Sequence, residues 1–197
     1  MHPGLRQSLH LPLLALWFAL AASAAAQNRT PAIGTGSGNG MPPAHLPGAP
    51  DFAGVEPSPD AEAVASWVLS VADHGQLPFA IIDKRAARVF VFDGRGRLRG
   101  DAPVLLGLAV GDEDVPGIGS LPLSQITPEM RITPAGRFRV QIGRNLKGEG
   151  ILWVDYDSAL SLHRVATGNP REARQQRLDS PTVDDNRISF GCINVPA

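Results

Sequence analysis

Residues 61–197 of this 197-residue chain predict a mainly β domain with one or two short helices. Three observations lead there. Runs of four to seven β-branched, aromatic and aliphatic residues recur along the segment. Gly, Pro and Asp punctuate them at hairpin spacing, and only one stretch has a clear amphipathic helix period.

That stretch is Ala61 to Ala72, where Val64, Trp67, Val68 and Val71 fall at i, i+3, i+4 and i+7. Asp60 is the expected N-cap, Glu62 suits the first turn, and Trp67 is expected to anchor the core. His74, just beyond, is expected at the surface or the helix end. Phe79 to Asp83 and Arg88 to Phe92 then read as two strands joined through Lys84–Ala87. Asp93-Gly94-Arg95-Gly96 is a turn signal, and Val104 to Val110 a continuous apolar strand. Gly111 to Met130, punctuated by three prolines, reads as a long loop. Arg137 to Ile142 alternates as a half-buried strand does, and Ile151 to Val154 reads as a buried one. Pro170 to Leu178, with Asn169 as N-cap and Pro170 at N1, predicts a short charged helix. Its Arg171, Arg174 and Arg177 are three apart, and a solvated face is the expected reading. The alternative is a surface meeting an acidic substrate.

The remainder of the chain has a different character. In residues 1–26, positive charge at Arg6 precedes an apolar run from Leu9 to Ala21, interrupted only by His10. Ala24-Ala25-Ala26 offers an A-x-A cleavage site, so the segment reads as a secretory signal peptide. Residues 27–60 hold 13 Gly and Pro in 34 positions and read as a disordered linker, too poor in apolar residues to offset their ordering entropy. The mature protein is expected to be periplasmic or secreted.

Composition narrows the function. Formal net charge is −1, which excludes a nucleic-acid binder driven by a basic face. A single cysteine excludes an internal disulfide framework and any multi-cysteine zinc site. That residue, Cys192, is instead a candidate nucleophile: an exported thiol with a histidine elsewhere in the chain is the minimum for thiolate chemistry. Within the domain the histidines are His74 and His163. The setting Ser189-Phe190-Gly191-Cys192-Ile193-Asn194 places glycine before the thiol, where the backbone can turn tightly, with polar groups on either side. An inert buried thiol for Cys192 and a satisfied core histidine for His163 are the bland alternatives.

Ser189-x-Gly191-Cys192-Ile193-Asn194 resembles the signature of the L,D-transpeptidase (YkuD-type) catalytic domain, which remodels bacterial peptidoglycan. Thr133-Pro134-Ala135-Gly136-Arg137-Phe138 is similar to that family's TPxGxF stretch. Phe79 to Phe92 resembles its opening hairpin, and Ser161-Leu162-His163-Arg164 the place of its catalytic histidine. The resemblance covers roughly 78–197 and implies a sandwich- or barrel-like β fold. By resemblance, Cys192 is the nucleophile, His163 the base, and the Arg164 carbonyl the group that fixes the imidazole tautomer. Amides near Gly191 and Cys192 would form an oxyanion hole, with Ser189 and Asn194 on the substrate. The resemblance further implies peptidoglycan stem peptides as donors and another stem, a wall-anchored protein's lysine or water as acceptor. No metal or organic cofactor is implied, and a monomer is expected.

Three departures stand out. The family's second histidine is replaced by Phe190. Cys192 follows His163 by 29 positions, a long gap that places the Pro170–Leu178 helix as a lid or an ornament. Five residues follow Cys192, from which a truncated chain or a fold closed by another route is expected. Competing readings are a non-catalytic wall-binding scaffold, an L,D-carboxypeptidase-type hydrolase, and a redox-responsive thiol protein. The last is disfavoured because no resolving cysteine exists.

Overall fold

The computed structural model describes residues 48–197 together with the backbone of one earlier strand, Leu14–Phe18. Among the described residues there are ten strands: β1 (Leu14–Phe18), β2 (Phe79–Asp83), β3 (Arg88–Phe92), β4 (Leu98–Pro103), β5 (Leu106–Gly107), β6 (Arg137–Arg144), β7 (Gly150–Asp155), β8 (Leu160–Arg164), β9 (Arg187–Ser189) and β10 (Ile193–Val195). Helices α1 (Pro59–Ser70) and α2 (Arg174–Leu178) complete the regular structure, with several 3-10 turns. Eight strands run in the order β10-β8-β7-β6-β1-β2-β3-β4, and β5 pairs separately with β9. The domain is mainly β with few short helices, and the sheet does not close into a barrel.

β2 shows why both faces of this sheet are covered. Its alternate residues Phe79 and Ile81 pack with Phe90, Phe92 and the Ala61–Ala65–Val68 stripe of α1. Ala80 and Ile82 face the other way, into a core shared with Val89, Val140, Val154, Leu160 and Ile193. A strand buried on two sides reads as an unbroken apolar run, and β2 does as far as its last residue, Asp83. Phe79 stacks on Phe92 at 4.9 Å between ring centroids, and Phe52 meets Phe92 edge-on at 5.3 Å. Each such ring contributes about 1.5–3 kcal/mol by leaving water.

Several sequence expectations need correction. α1 begins after Ser58, whose hydroxyl accepts from the Ala61 N–H, so Asp60 lies in the first turn and is not the cap. The helix is rotated from the expected face: its small residues are buried, while Trp67 is 47% exposed and Val71 53%. Alanines let the helix lie close on the aromatic sheet face, and Trp67 does not fit there. His74 is buried, its Nε2 3.1 Å from the Gly94 carbonyl oxygen and its ring against Phe79. The Val104–Val110 run supplies only β5, while the unexpected β4 is an edge strand with Gly, Asp and Pro. Pro170–Leu178 is not one helix: a 3-10 turn ends at Ala173, which takes φ 46°, and α2 starts afterwards. Asn169 does cap the turn, accepting from the Arg171 N–H.

Leu14–Phe18, from the apolar run expected as a leader core, pairs parallel with β2 and antiparallel with β6. The rest of the leader and the linker up to residue 47 lie outside the described residues. Residues 48–60, expected within the disordered linker, are ordered instead: Phe52 and Val55 pack on the aromatic core and Ser58 caps α1. Gly111–Met130 is a loop braced by three 3-10 turns. Lys84, buried at the β2–β3 turn, ties down its start through Nζ, donating to the Gly111 carbonyl at 2.6 Å and to Asp112 at 2.5 Å.

Candidate functional site

β10 lies parallel to β8, and the register sets Asn194 opposite His163. Parallel neighbours cannot be joined by a tight turn and need a long crossover, which accounts for the chain length between His163 and Cys192. On its other side Asn194 exchanges both backbone hydrogen bonds with Leu105, at 2.9 Å each. Cys192 sits just before this pinned strand, so its sulfur is carried to the start of β8, beside Ala159 and Ser161.

The turn before the thiol depends on glycine. Gly191 has φ 130°, and a Cβ there would stand 2.8 Å from the Ile132 carbonyl oxygen. Thr133, fully buried, fixes the same turn. Its hydroxyl accepts from the Gly107 N–H at 2.8 Å and donates to the Gly191 carbonyl at 2.7 Å. The Thr-Pro-Ala-Gly stretch therefore has a structural task here beyond making a turn.

His163 is half-buried, and its Nδ1 lies 2.7 Å from the Arg164 carbonyl oxygen. A carbonyl only accepts, so Nδ1 carries the proton and Nε2 offers its lone pair in the neutral ring. The sulfur of Cys192 is 3.5 Å from Ser161 Oγ and 3.6 Å from the Ala159 carbonyl oxygen. Burial pushes the thiol upward, but hydrogen bonds from His163 and Ser161 outweigh it and leave it below its ordinary value. The thiol's hydrogen bond raises the imidazole, against the opposing effect of its burial. Their proton affinities thus move towards each other.

The flanking polar residues do not face outward. Ser189 is buried and donates to the Cys192 carbonyl at 2.6 Å, while its oxygen accepts from the Gly191 N–H at 3.1 Å. Asn194 is fully buried, with Nδ2 3.2 Å from His163 Nε2 and Oδ1 accepting from Arg174 at 2.5 Å. The expectation that Ser189 and Asn194 meet substrate therefore gives way to roles inside the protein. The Gly191 N–H, expected in an oxyanion hole, is committed to Ser189; the Cys192 N–H has no acceptor among the described residues.

Phe190 has the Arg131 guanidinium 4.0 Å above its ring centroid and helps to line a cavity of about 150 Å3 that ends at Cys192. Ile118, Leu121, Ile126 and Ile132 make that cavity apolar, with Asp114 as its one acidic lining residue. His163 also borders a wider cleft of about 810 Å3 formed with the β6–β7 turn and residues 165–168, which include polar Lys147, Glu149 and Thr167. The dyad stands between these two spaces. None of residues 170–178 lines either one, so this segment is no lid over them. Its arginines divide: Arg171 is exposed, as a solvated face requires, whereas Arg174 pairs with Glu172 and Asn194, and Arg177 donates to the Glu172 and Asp185 carbonyls.

The sequence assigned no role to Ser161 and none to Arg174 beyond a solvated face or a surface meeting an acidic substrate. Ser161 follows the i−2 alternation of β8 from His163, a signal that could have placed both side chains on one face. Arg174 meets Asn194 only through the fold. No cluster of three or more His, Cys, Asp or Glu side chains able to hold a metal occurs among the described residues. No family model matches the chain, nor does any curated protein or solved structure.

Proposed function

We propose that the protein is an exported cysteine acyltransferase, a peptidoglycan L,D-transpeptidase acting on stem peptides through a thioester. The observation that carries this reading is the Cys192–His163 pair. A thiol held below its ordinary range sits beside an imidazole whose Nδ1 is fixed by Arg164 and whose Nε2 is an acceptor. The likeness of the Gly191–Cys192 and Thr133–Phe138 stretches to L,D-transpeptidases supplies the substrate class.

In this mechanism Cys192 attacks the donor carbonyl carbon as its proton passes to His163 Nε2. The carbonyl oxygen becomes an oxyanion facing the Cys192 N–H, a donor of the kind worth about 10²–10³ in rate. The tetrahedral centre collapses, the C–N bond breaks, and the terminal D-residue leaves with the proton from Nε2. An acceptor amine entering from the wider cleft attacks the thioester, gives its proton to Nε2 and restores the thiol. Water in the same place yields the hydrolase outcome.

Export supplies access to this substrate, and no helix among the described residues is long and apolar enough to cross a membrane. The test is product analysis with a stem tetrapeptide donor and an amine acceptor. Release of the terminal D-residue with formation of the acceptor conjugate supports the reading. Absence of both from the folded wild type overturns it and favours a scaffold, and equal turnover by Cys192→Ala overturns the cysteine mechanism.

A further inference from the structure

The segment between His163 and Cys192 reaches back into the dyad through one side chain. Arg174 is mostly buried, its Nε paired with Glu172 and one Nη donating to Asn194 Oδ1 at 2.5 Å. A guanidinium has no acceptor, so it can bind only the oxygen end of an amide. That short contact, together with the long 3.5 Å donation from Nδ2 to the Cys192 carbonyl, sets which end of Asn194 faces the histidine: Nδ2, at 3.2 Å from Nε2. An amide N–H is a good partner for a bare Nε2 and a poor one for a protonated Nε2. With Nδ1 committed to the Arg164 carbonyl, this orientation selects the neutral ring.

We propose that Arg174 is a positioning residue that locks the Asn194 amide and so keeps the resting dyad as thiol and neutral imidazole. Without it, only the 3.5 Å contact of Nδ2 with the Cys192 carbonyl holds the amide, which can then turn and present Oδ1 to Nε2. An Nε2–H is then stabilised, and the proton moves from sulfur to nitrogen, leaving the electron pair on sulfur. The dyad becomes thiolate and imidazolium. The positive charge of Arg174 acts in the same sense, because it opposes a second cation at His163. The other groups around the imidazole are Cys192 at its Nε2 side, Arg164 next in β8, and Arg144, Lys147, Glu149 and Tyr156 around the clefts that it borders. None of these is hydrogen-bonded to Asn194 Oδ1.

The lock deepens the acyltransferase reading, on which its biological use rests, yet its test needs no acyl donor. The pH midpoint of Cys192 alkylation by iodoacetamide is measured on the full chain, with nitrogen NMR of the imidazole. Near pH 7 the wild type is expected to show Nδ1 protonated and Nε2 bare. Arg174→Gln is expected to lower the alkylation midpoint by about one pH unit, while Arg174→Lys, which keeps a donor and a charge, leaves it in place. A doubly protonated wild-type imidazole near pH 7 overturns the proposal. So does an unmoved midpoint in a folded Arg174→Gln protein, the result of a merely structural arginine. If that variant does not fold, the wild-type spectrum and the lysine variant decide. Failure of stem peptides to acylate Cys192 would strike the acyltransferase reading and leave this one standing.

Discussion

Replacing Thr133 with valine removes one hydroxyl from a site with no solvent and hardly changes the side-chain shape. Two backbone groups lose their partner: the Gly107 N–H, now bonded at 2.8 Å, and the Gly191 carbonyl, at 2.7 Å. A buried polar group left unpaired costs about 1–3 kcal/mol, so Thr133→Val, which leaves two, is expected to destabilise the fold by about 2–6 kcal/mol. Thr133→Ser keeps both bonds and loses only a methyl, a loss of about 1 kcal/mol by area removed from burial. Urea unfolding followed by tryptophan fluorescence gives both values, with the midpoint falling and the slope unchanged. A valine variant within about 0.5 kcal/mol of wild type would refute the reasoning, because it would mean that the two backbone groups find other partners at little cost. A serine variant less stable than the valine one would refute it as well, since packing would then outweigh hydrogen bonding.

Two further outcomes follow from the site and the sheet. Because the Cys192 thiol is held below its ordinary value in the fold, stability relative to Cys192→Ala is expected to grow as pH rises towards the free-thiol value of about 8.5 and to be lost as pH falls through the folded value. Unfolding curves across that range check the sign, and a flat difference contradicts the shift. Because Leu14–Phe18 lies between β2 and β6, a chain starting at Gln27 is expected to exchange the β2 and β6 amides that face β1 faster than the full chain, as read by hydrogen exchange. Equal exchange would show that this pairing is not used in solution.

How legible the molecule was depended on whether the relevant interaction was local. β2 and β3 were visible because their apolar residues are contiguous and their turn is short. β9 and β10 carry three residues each, too few for any period to register, and are strands only because β5 and β8 lie alongside them. β4 went unseen because its Gly100, Asp101 and Pro103 suit an edge and argue against a strand interior. In α1 the expected face favoured large residues, whereas the aromatic sheet leaves room for alanines.

The site divides in the same way. Cys192 stood out as the lone thiol after a glycine, and His163 was reached through resemblance. Ser189 and Asn194 were recognised as neighbours of the thiol but given the wrong direction, since nothing local says that their side chains turn inward. Arg174 could not be connected to Asn194, because 20 residues of irregular crossover separate them.

The central claim is that Cys192 forms a covalent acyl intermediate. Intact mass spectrometry of the full chain, quenched soon after mixing with a stem tetrapeptide, tests it most directly. The expected result is a mass increase equal to the peptide less its released terminal residue, present in the wild type, absent from Cys192→Ala and discharged by an added amine. A folded wild type that never gains this mass, or a Cys192→Ala protein that gains it equally, would contradict the account.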